Sequence, residues 1–293
     1  PQSALGSKTP LQAMKDWHEL KSEPFKKQPY YLPGCDNWAL ITGAGSGIGA
    51  ALAQALSARE MGIVLVGRRQ ARLEAVRERL GPHAPALVVP TDIVSAEDRA
   101  RLLTTVDERL TAEGGWLRHL VHNAGIGTPS PDFARTDPGE LERAFAVNVT
   151  APLALTQAFL PALCRAAPAR ILLVGAGIAD RAQPGTGIYG ITKKALARLF
   201  EQMITDFEHE GRADLPAVAL FQPGLVDTEG LRDHIAAARA CDLPHAAWLE
   251  TALEQRQARS PQEVADAMAA ALLDLPHAGF HGQVLRPKDV GVA

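Results

Sequence analysis

Short apolar segments alternate with longer amphipathic segments along most of this chain. From residue 37 onward, the apolar segments predict strands near 38–42, 62–66, 86–90, 117–122, 170–175, 216–221 and 283–286. Helical periodicity between most of them predicts helices at 47–59, 70–80, 95–113, 138–165 and 187–209. Strands that alternate with helices at this spacing form βαβ units, which place helices on both faces of a parallel sheet. The pattern therefore predicts an α/β fold with a doubly wound parallel sheet of about seven strands.

Residues 1–36 do not follow this alternation and are rich in charged residues and proline. Four apolar residues recur there at every third position: Leu11, Met14, Trp17 and Leu20. This spacing allows a short amphipathic helix that binds the domain or a partner subunit, and it equally allows a partly ordered tail. We therefore predict an N-terminal arm, 1–36, followed by a single domain, 37–293.

Composition and charge exclude several classes of function. Hydrophobic residues make up 46% of the chain, and the formal net charge of −3 gives no reason to expect a nucleic acid or anionic membrane as partner. No segment approaches the run of about 20 apolar residues that crosses a membrane, and the N-terminus lacks a secretory signal. The cysteines, Cys35, Cys164 and Cys241, are far apart and show no CxxC spacing. We therefore expect a cytoplasmic protein without disulfides or a metal site.

A glycine-rich turn joins the first predicted strand to the first predicted helix. Glycines in such a turn let the backbone approach a pyrophosphate, which binds at the free N–H groups of the helix N-terminus. The turn reads Thr42-Gly43-Ala44-Gly45-Ser46-Gly47-Ile48-Gly49. Strand, glycine turn and helix together predict a dinucleotide site in a Rossmann fold.

The glycine spacing departs from the usual G-x-G-x-x-G and resembles the T-G-x-x-x-G-I-G motif of the short-chain dehydrogenase/reductase family. Two further segments, after the fourth and sixth strands, resemble the family motifs N-N-A-G and P-G-x-V-x-T. They read His122-Asn123-Ala124-Gly125, which departs at His122, and Pro223-Gly224-Leu225-Val226-Asp227-Thr228. The resemblance covers roughly 37–287 and implies that these segments hold a nicotinamide cofactor, with Val226 and Thr228 at its carboxamide.

The end of the second strand bears on the choice between NAD and NADP. An NAD-selective Rossmann domain usually has an acidic residue there, which accepts hydrogen bonds from the ribose 2′-hydroxyl. This chain has Arg68 and Arg69 instead, and a guanidinium can bind a 2′-phosphate. The simpler alternative is that both arginines open a solvated helix, but the missing carboxylate favours NADP(H). Asp92 resembles the adenine-contacting Asp of the family, or it is a residue at a helix start.

Tyr189 and Lys193 are four residues apart, so they share one face of a predicted helix. The resemblance implies that Tyr189 is the acid/base and that Lys193 binds the nicotinamide ribose. A phenol has a pKa of about 10, and we expect the Lys193 ammonium to lower it. Asn148 matches the family Asn that holds a proton-relay water. Its simpler alternative is an Asn that bonds local backbone.

The serine that completes this site in the family lies thirteen residues before the tyrosine, and here that position is Ala176. Loss of one oxyanion donor lowers kcat by about 10² to 10³ where nothing replaces it. Three accounts remain open. Another polar group, Thr186 or Gln183, takes over the role; the protein has become a binding or regulatory module; or Ala176 is a deliberate replacement of serine.

The segment from about 229 to 260 is expected to cover the substrate. Apolar residues there suggest a hydrophobic alcohol or ketone, although a helix pair that packs on the domain explains them equally well. His234 and His245 have no neighbours at metal-ligand spacing, so we interpret both as lid or surface residues. Ser260 is predicted to cap the last long helix. The resemblance implies a homodimer or homotetramer.

Two functional hypotheses follow from these residues. The first is an oxidoreductase that transfers a hydride between NADP(H) and a carbonyl or secondary alcohol, impaired by Ala176. The alternative is a non-catalytic NADP(H)-binding protein that senses a ligand or regulates a partner. Tyr189, Lys193 and Asn148 favour the enzyme, because a binding module would not require all three.

Overall fold

The computed structural model describes residues 36–81, 84–127, 129 and 133–291. Its strands are β1 Asn37–Thr42, β2 Gly62–Gly67, β3 Ala86–Pro90, β4 Trp116–His122, β5 Arg170–Val174, β6 Ala217–Phe221 and β7 Val284–Leu285. They form one parallel sheet in the order β3-β2-β1-β4-β5-β6-β7. The predicted doubly wound α/β fold is confirmed, and the last strand is shorter than its apolar pattern suggested.

Helices cover both faces of the sheet. They are α1 Gly47–Ser57, α2 Gln70–Arg77, α3 Ala96–Glu113, α4 Pro138–Phe145, α5 Ala151–Arg165, α6 Gly187–Glu210, α7 Glu229–Ala240, α8 His245–Glu254, α9 Pro261–Leu273 and α10 His277–Phe280. The predicted continuous helix over 138–165 is wrong in one respect: a π-helical turn, Ala146–Thr150, separates α4 from α5. Such turns insert an extra residue into the hydrogen-bond ladder, which hydrophobic periodicity does not reveal.

The strand order reverses at β1, because β1 lies between β2 and β4. The chain crosses from β3 back to β4 at this point, so the loops after β1 and β4 diverge and leave a crevice at the carboxyl ends of the strands. In open α/β sheets this crevice is where ligands bind.

Two apolar clusters fill the space between the sheet and its helices. One contains Leu52, Phe221, Met268 and Phe280 together with β1 and β2 side chains that face α1 and α9. The other lies on the opposite face and is built around Trp38, Phe159 and Phe200. Because both sheet faces are covered, most strand residues are buried in succession rather than alternately, as parallel sheets require.

By length and composition alone, the stretch Pro138–Arg165 could cross a membrane, contrary to our expectation that no segment has this character. In the fold it has another use, because Leu155, Phe159 and Leu163 are buried in the core. The apolar residues of α5 are therefore explained by packing against the core of the domain.

The predicted arm, 1–36, lies outside the described residues except for Asp36, so the division of the chain into arm and domain stays a prediction. Cys164 and Cys241 are free thiols, while Cys35 is also outside the described part.

Candidate functional site

The glycine turn after β1 adopts backbone conformations that side chains would obstruct. Gly43 and Gly47 have φ angles of +67° and +54°, in the left-handed region that favours glycine. A Cβ on Gly49 would lie 2.5 Å from the Gly43 carbonyl oxygen. Ser46 is the N-cap of α1, and its side chain makes no capping hydrogen bond. The first N–H groups of α1 and the Ser46 hydroxyl are therefore available to an anion.

Thr42 and Asn123 join the glycine turn to the loop after β4. The Thr42 hydroxyl accepts from the N–H groups of Asn123 and Ala124 at 3.0 and 3.1 Å and donates to the Val121 carbonyl. The Asn123 side-chain amide donates to the Thr42 carbonyl at 2.9 Å. These bonds cross between β1 and β4, so they fix the width of the crevice where the strand order reverses.

His122 occupies the position at which this chain departs from the N-N-A-G pattern. Its ring is buried, and Nε2 lies 2.9 Å from the Thr156 hydroxyl on α5. Burial lowers the pKa of His122 to about 3, so the ring is neutral near pH 7. The substitution is therefore accommodated within the core, behind the crevice rather than in it.

A positively charged group of residues follows β2. Arg68 and Arg69 are exposed, and in the described part of the chain neither side chain makes a hydrogen bond or an ion pair. Arg72 on α2 instead forms a bidentate ion pair with Glu229 at the start of α7, one N–O distance being 2.8 Å. Both Arg72 and Arg69 lower the pKa of Glu229. The carboxylate thus offsets part of this positive charge and leaves Arg68 and Arg69 unbonded.

Asp92 lies just after β3, a position that fits both an adenine contact and a residue at the start of a helix. Its carboxylate accepts from the Val94 N–H at 3.0 Å, and its own N–H donates to Asp98. The N-cap of α3 is Ser95, which accepts from the Asp98 N–H. Asp92 therefore shapes the turn into α3 and is not itself the helix cap.

The segment after β6 reaches the glycine turn from the other side. Gly224 has a φ of +76°, and Val226 is buried and pairs with Arg259 through an isolated bridge. The Thr228 hydroxyl accepts from the Leu231 N–H at 3.1 Å as the N-cap of α7. A Cβ on Gly47 would lie 3.3 Å from the Thr228 methyl group. The structure thus brings the first and third of the sequence motifs into contact.

Asn148 projects from the π-helical turn and is buried. Its side chain donates to the Ile126 carbonyl at 2.7 Å and to the Thr192 hydroxyl at 2.9 Å, and it accepts from the Ile126 N–H. The alternative that Asn148 bonds only its own helix is therefore wrong, because its partners lie on the β4 loop and on α6. Both donors are engaged, and one lone pair of Oδ1 remains for a water.

Lys193 and Asn148 flank the same glycine. A Cβ on Gly125 would lie 3.3 Å from Lys193 Nζ and 3.4 Å from Asn148 Oδ1. Lys193 is buried, and its ammonium donates to the Val174 carbonyl at 2.7 Å. Burial lowers the pKa of Lys193 to about 8, so the group is still largely charged at pH 7.

Tyr189 lies one helical turn before Lys193, whose Nζ is 5.5 Å from the tyrosine ring centroid. We expected this ammonium to lower the pKa of Tyr189, and here that expectation is wrong. Burial raises the pKa to about 12, and Lys193 makes its hydrogen bond to the Val174 carbonyl instead. The phenol is consequently protonated throughout the neutral range.

Ala176 lies just after β5, two residues beyond the carbonyl that Lys193 binds. Of its suggested substitutes, Thr186 is nearly buried, and its hydroxyl donates to the Gln183 carbonyl at 2.9 Å. That donor is not free for a substrate oxygen unless this bond breaks. Thr186 is therefore a poor replacement for the serine, and Gln183 keeps its amide as a possible donor.

Gly127 is a site residue that our sequence reasoning missed. A Cβ at this position would lie 2.5 Å from Cδ2 of Tyr189, which no real contact permits. Only glycine lets the β4 loop approach the tyrosine ring this closely. The sequence offered one signal for it: Gly127 follows the Asn123-Ala124-Gly125 motif by two residues, so it lies in the same loop after β4.

The predicted lid helices α7 and α8 pack mainly on each other, in a small apolar cluster of Ala238, Leu243 and Ala246 that is separate from the two clusters at the sheet. Ile235, Leu243 and Leu249 are buried, whereas Trp248 is 57% exposed. The described residues contain no group of three potential metal ligands. His234 and His245 lie on these two helices, and their Nε2 atoms are 3.1 Å apart, a pairing that the sequence spacing did not predict. Ser260 forms the predicted capping box with Glu263.

Comparison with known proteins places this geometry in context. The family model described as short chain dehydrogenase matches residues 37–238. A sulfoacetaldehyde reductase of Chromohalobacter salexigens is 29% identical over 64% of this chain and 72% of its own length. A fatty acyl-CoA reductase of Mycobacterium tuberculosis is 29% identical over 83% of this chain and 81% of its own.

Solved structures show the same fold. An alcohol dehydrogenase from the archaeon Thermococcus sibiricus, complexed with 5-hydroxy-NADP, has a TM-score of 0.68 at 25% identity and covers 85% of this chain and 95% of its own. A 3-ketoacyl-(acyl-carrier-protein) reductase from Brucella melitensis, complexed with NADH, has a TM-score of 0.67 at 25% identity over 85% and 96% of the two chains.

Proposed function

Because the chain belongs to the short-chain dehydrogenase family, we propose that it is an NADP(H)-dependent oxidoreductase that acts on a carbonyl or secondary alcohol. The observation that carries this proposal is the cluster of Tyr189, Lys193 and Asn148 around the β4 loop. Three side chains, two from α6 and one from the π-helical turn, converge there, at the crevice where ligands of open α/β sheets bind.

The residues around the glycine turn fit a dinucleotide. Left-handed glycines and the unbonded N-terminus of α1 provide the backbone approach that a pyrophosphate needs. The structural relatives complexed with 5-hydroxy-NADP and with NADH support a nicotinamide cofactor. Arg68 and Arg69, exposed and without ion pairs in the described part of the chain, support the 2′-phosphate form. We infer that Arg68 and Arg69 bind this phosphate, beside the Arg72–Glu229 pair.

When bound, the nicotinamide supplies or accepts the hydride. The residues of the chain provide the proton and the positions. Tyr189, protonated in the neutral range, donates its phenolic proton to the carbonyl oxygen during reduction. Lys193, held by the Val174 carbonyl with its Nζ 5.5 Å from the centroid of the Tyr189 ring, would bind the nicotinamide ribose. Asn148 fixes the loop that carries Gly125 and offers a lone pair to a water near Lys193.

Ala176 defines how this site differs from a complete one. A serine hydroxyl there would donate to the substrate oxygen as negative charge develops, and an alanine methyl group cannot. We infer that the chain reduces its substrate about 10² to 10³ times more slowly than with a serine, unless the Gln183 amide compensates.

The substrate class follows from the named relatives rather than from the lid. The sulfoacetaldehyde, fatty acyl-CoA and 3-ketoacyl reductases are named for substrates with a carbonyl group, and the alcohol dehydrogenase for the reverse direction. We propose a carbonyl or alcohol substrate on this ground. The buried apolar residues of α7 and α8 include a cluster that these two helices form with each other, so they give no information on substrate polarity.

The test is NADPH oxidation by the untagged chain over a panel of aldehydes and ketones that includes both short charged and long apolar members. We expect turnover that depends on Tyr189 and that is lost with NADH at the same concentration. The double variant Arg68→Ala/Arg69→Ala should raise the KM for NADPH and leave that for NADH unchanged.

Substrate-dependent oxidation at equal rates in the chain and in Tyr189→Phe would refute the assigned chemistry. Tight NADPH binding with no turnover, even after Ala176→Ser, would favour the non-catalytic alternative.

We also propose that the protein is a cytoplasmic homodimer or homotetramer. Leu153 on α5 and Ile191 on α6 are large exposed apolar residues on the helices that the family resemblance assigns to subunit contacts. Light scattering coupled to size-exclusion chromatography tests the assembly, and a monomer at micromolar concentration would refute it.

A further inference from the structure

The lid contains a pair of histidines whose arrangement the proposed hydride transfer does not use. His234 lies on α7 and His245 is the first residue of α8, so the two are eleven residues apart and on different helices. Their Nε2 atoms are 3.1 Å apart, and their ring centroids 5.3 Å apart. Both side chains are half-buried. The turn 241–244 therefore brings two potential ligand atoms to a single point.

The separation of these nitrogens matches that of two ligands on one ion. Imidazole nitrogens bind zinc at about 2.0–2.1 Å, so two of them lie roughly 3.3–3.4 Å apart at a tetrahedral angle and about 2.9 Å at a right angle. The observed 3.1 Å lies between these values. Two neutral imidazoles can also reach this distance by one hydrogen bond, in which one Nε2 donates and the other accepts.

The surroundings of the pair favour the neutral rings that bind metal. Burial lowers the pKa of both histidines, and the neighbouring His245 lowers that of His234 further. His245 Nδ1 is buried and has no hydrogen-bond partner among the described residues, although the Pro184 carbonyl is close enough to favour its protonated form. A ligating histidine usually donates its other N–H to such a carbonyl. The Pro184 carbonyl would take this role once His245 Nδ1 donates to it, a hydrogen bond that the structure does not show.

We propose that His234 and His245 chelate one divalent cation of the zinc class through their Nε2 atoms. Imidazole ligands suit zinc, copper and nickel rather than calcium or magnesium. The described residues offer no third histidine, cysteine or carboxylate within a metal-binding group, so water fills the other positions. The ion joins α7 to α8 at the turn between them.

This position places the cation near the segment that precedes the helix of Tyr189. Leu243, in the same turn, packs against Gly185, where a Cβ would lie 2.3 Å from its Cδ1. Gly185 immediately precedes Thr186, the N-cap of the helix that carries Tyr189. A bound cation fastens the two lid helices on either side of this contact and so holds the lid on the segment before the tyrosine.

The experiment measures metal binding by the untagged full chain with zinc and, for its spectrum, with cobalt. We expect one ion per chain, a cobalt spectrum without a thiolate charge-transfer band, and protease protection of 229–254 that appears only with metal. His234→Gln and His245→Gln should each weaken binding by about tenfold or more. Their thermal unfolding midpoints without metal should match that of the parent chain, which shows that both variants fold.

Two matched controls separate this site from other histidines and thiols. His277→Gln alters another pair of neighbouring histidines, His277 and His281, whose ring centroids are 5.2 Å apart, and it should leave binding unchanged. Cys241→Ser removes the thiol in the same turn and should also leave it unchanged. The proposal is overturned if less than about a tenth of the chains bind an ion at tenfold excess. Loss of binding in either control overturns it as well, and so does binding by His234→Gln and His245→Gln that is as tight as in the parent chain.

Discussion

On the β1–β3 side of the crevice the geometry is set by backbone atoms and glycines, whereas on the β5–β6 side it depends on single side chains. Gly43, Gly47 and Gly49 leave no room for another residue, and Thr42 and Asn123 bond this turn to the next loop. Across the crevice, Ala176 stands where we expect a serine hydroxyl, and Lys193 binds the Val174 carbonyl. A site held by backbone tolerates little change, while a site made of side chains can lose one donor and keep its fold.

The comparison predicts that the proton donor has the largest effect on rate and none on cofactor binding. Tyr189→Phe removes the hydroxyl but keeps the ring against Gly127, so we expect kcat to fall by about 10³ with the Kd for NADPH unchanged. Single-turnover kinetics and fluorescence titration with NADPH measure the two quantities. A variant that keeps more than about a tenth of the rate would contradict the role of Tyr189.

The glycine turn should respond in the opposite way. In Gly49→Ala the new Cβ meets the Gly43 carbonyl oxygen and the Asn123 amide at 2.5 Å. If overpacking of about 1–3 kcal/mol is borne by the binding-competent turn, it corresponds to roughly five- to 150-fold weaker NADPH binding. Gly81→Ala is the matched control, because its nearest atom would be the Ser57 hydroxyl at 3.8 Å. Unchanged affinity in Gly49→Ala would show that the turn is less constrained than it appears from its backbone.

Gly127 should affect rate more than binding, although it belongs to the loop after β4. Gly127→Ala displaces the Tyr189 ring, which a Cβ would otherwise approach to 2.5 Å, so we expect kcat to fall about tenfold or more. Gly187→Ala on α6 is the control, because a Cβ there meets no atom within 4 Å. If Gly127→Ala instead weakened NADPH binding and left kcat intact, this loop would belong to the cofactor side.

The smallest predicted effect concerns acid stability behind the crevice. The pKa of His122 falls to about 3 on folding from 6.5, so between these values the unfolded chain binds more protons than the folded one. Stability is therefore lost as pH falls from 6.5 towards 3. The slope of the unfolding free energy against pH measures how many more protons the unfolded chain binds than the folded chain. In His122→Asn this number should fall by up to about one. Urea titrations across this range measure the slope, with the exposed His277→Asn as control. An unchanged slope would place the acid sensitivity elsewhere.

Much of the fold could be predicted from sequence because its determinants are local. Apolar strands and helical periodicity are repeated features, and the glycine turn has a distinctive spacing, so β1–β6 and most helices agree with the prediction. The π-helical turn at Asn148 was missed because one extra residue in a helix leaves periodicity nearly intact.

The structure brings the predicted site residues Tyr189, Lys193 and Asn148 together, but the sequence could not predict their electrostatics. Tyr189 and Lys193 do share a helical face, but sequence spacing cannot reveal that burial raises one pKa while the Val174 carbonyl binds the other group. Nor can it show that His234 and His245 meet, because their proximity depends on the angle between α7 and α8. Contacts between separate elements require the tertiary structure.

The central claim is that the cofactor side of this site is complete and that the substrate side lacks one donor, at Ala176. The most direct test restores that donor and measures binding and chemistry on the same sample. For Ala176→Ser we predict a Kd for NADPH within about twofold of the parent value and a kcat that rises by about 10² or more. A variant that turns over no faster than the parent chain, or that binds NADPH differently, would contradict the account.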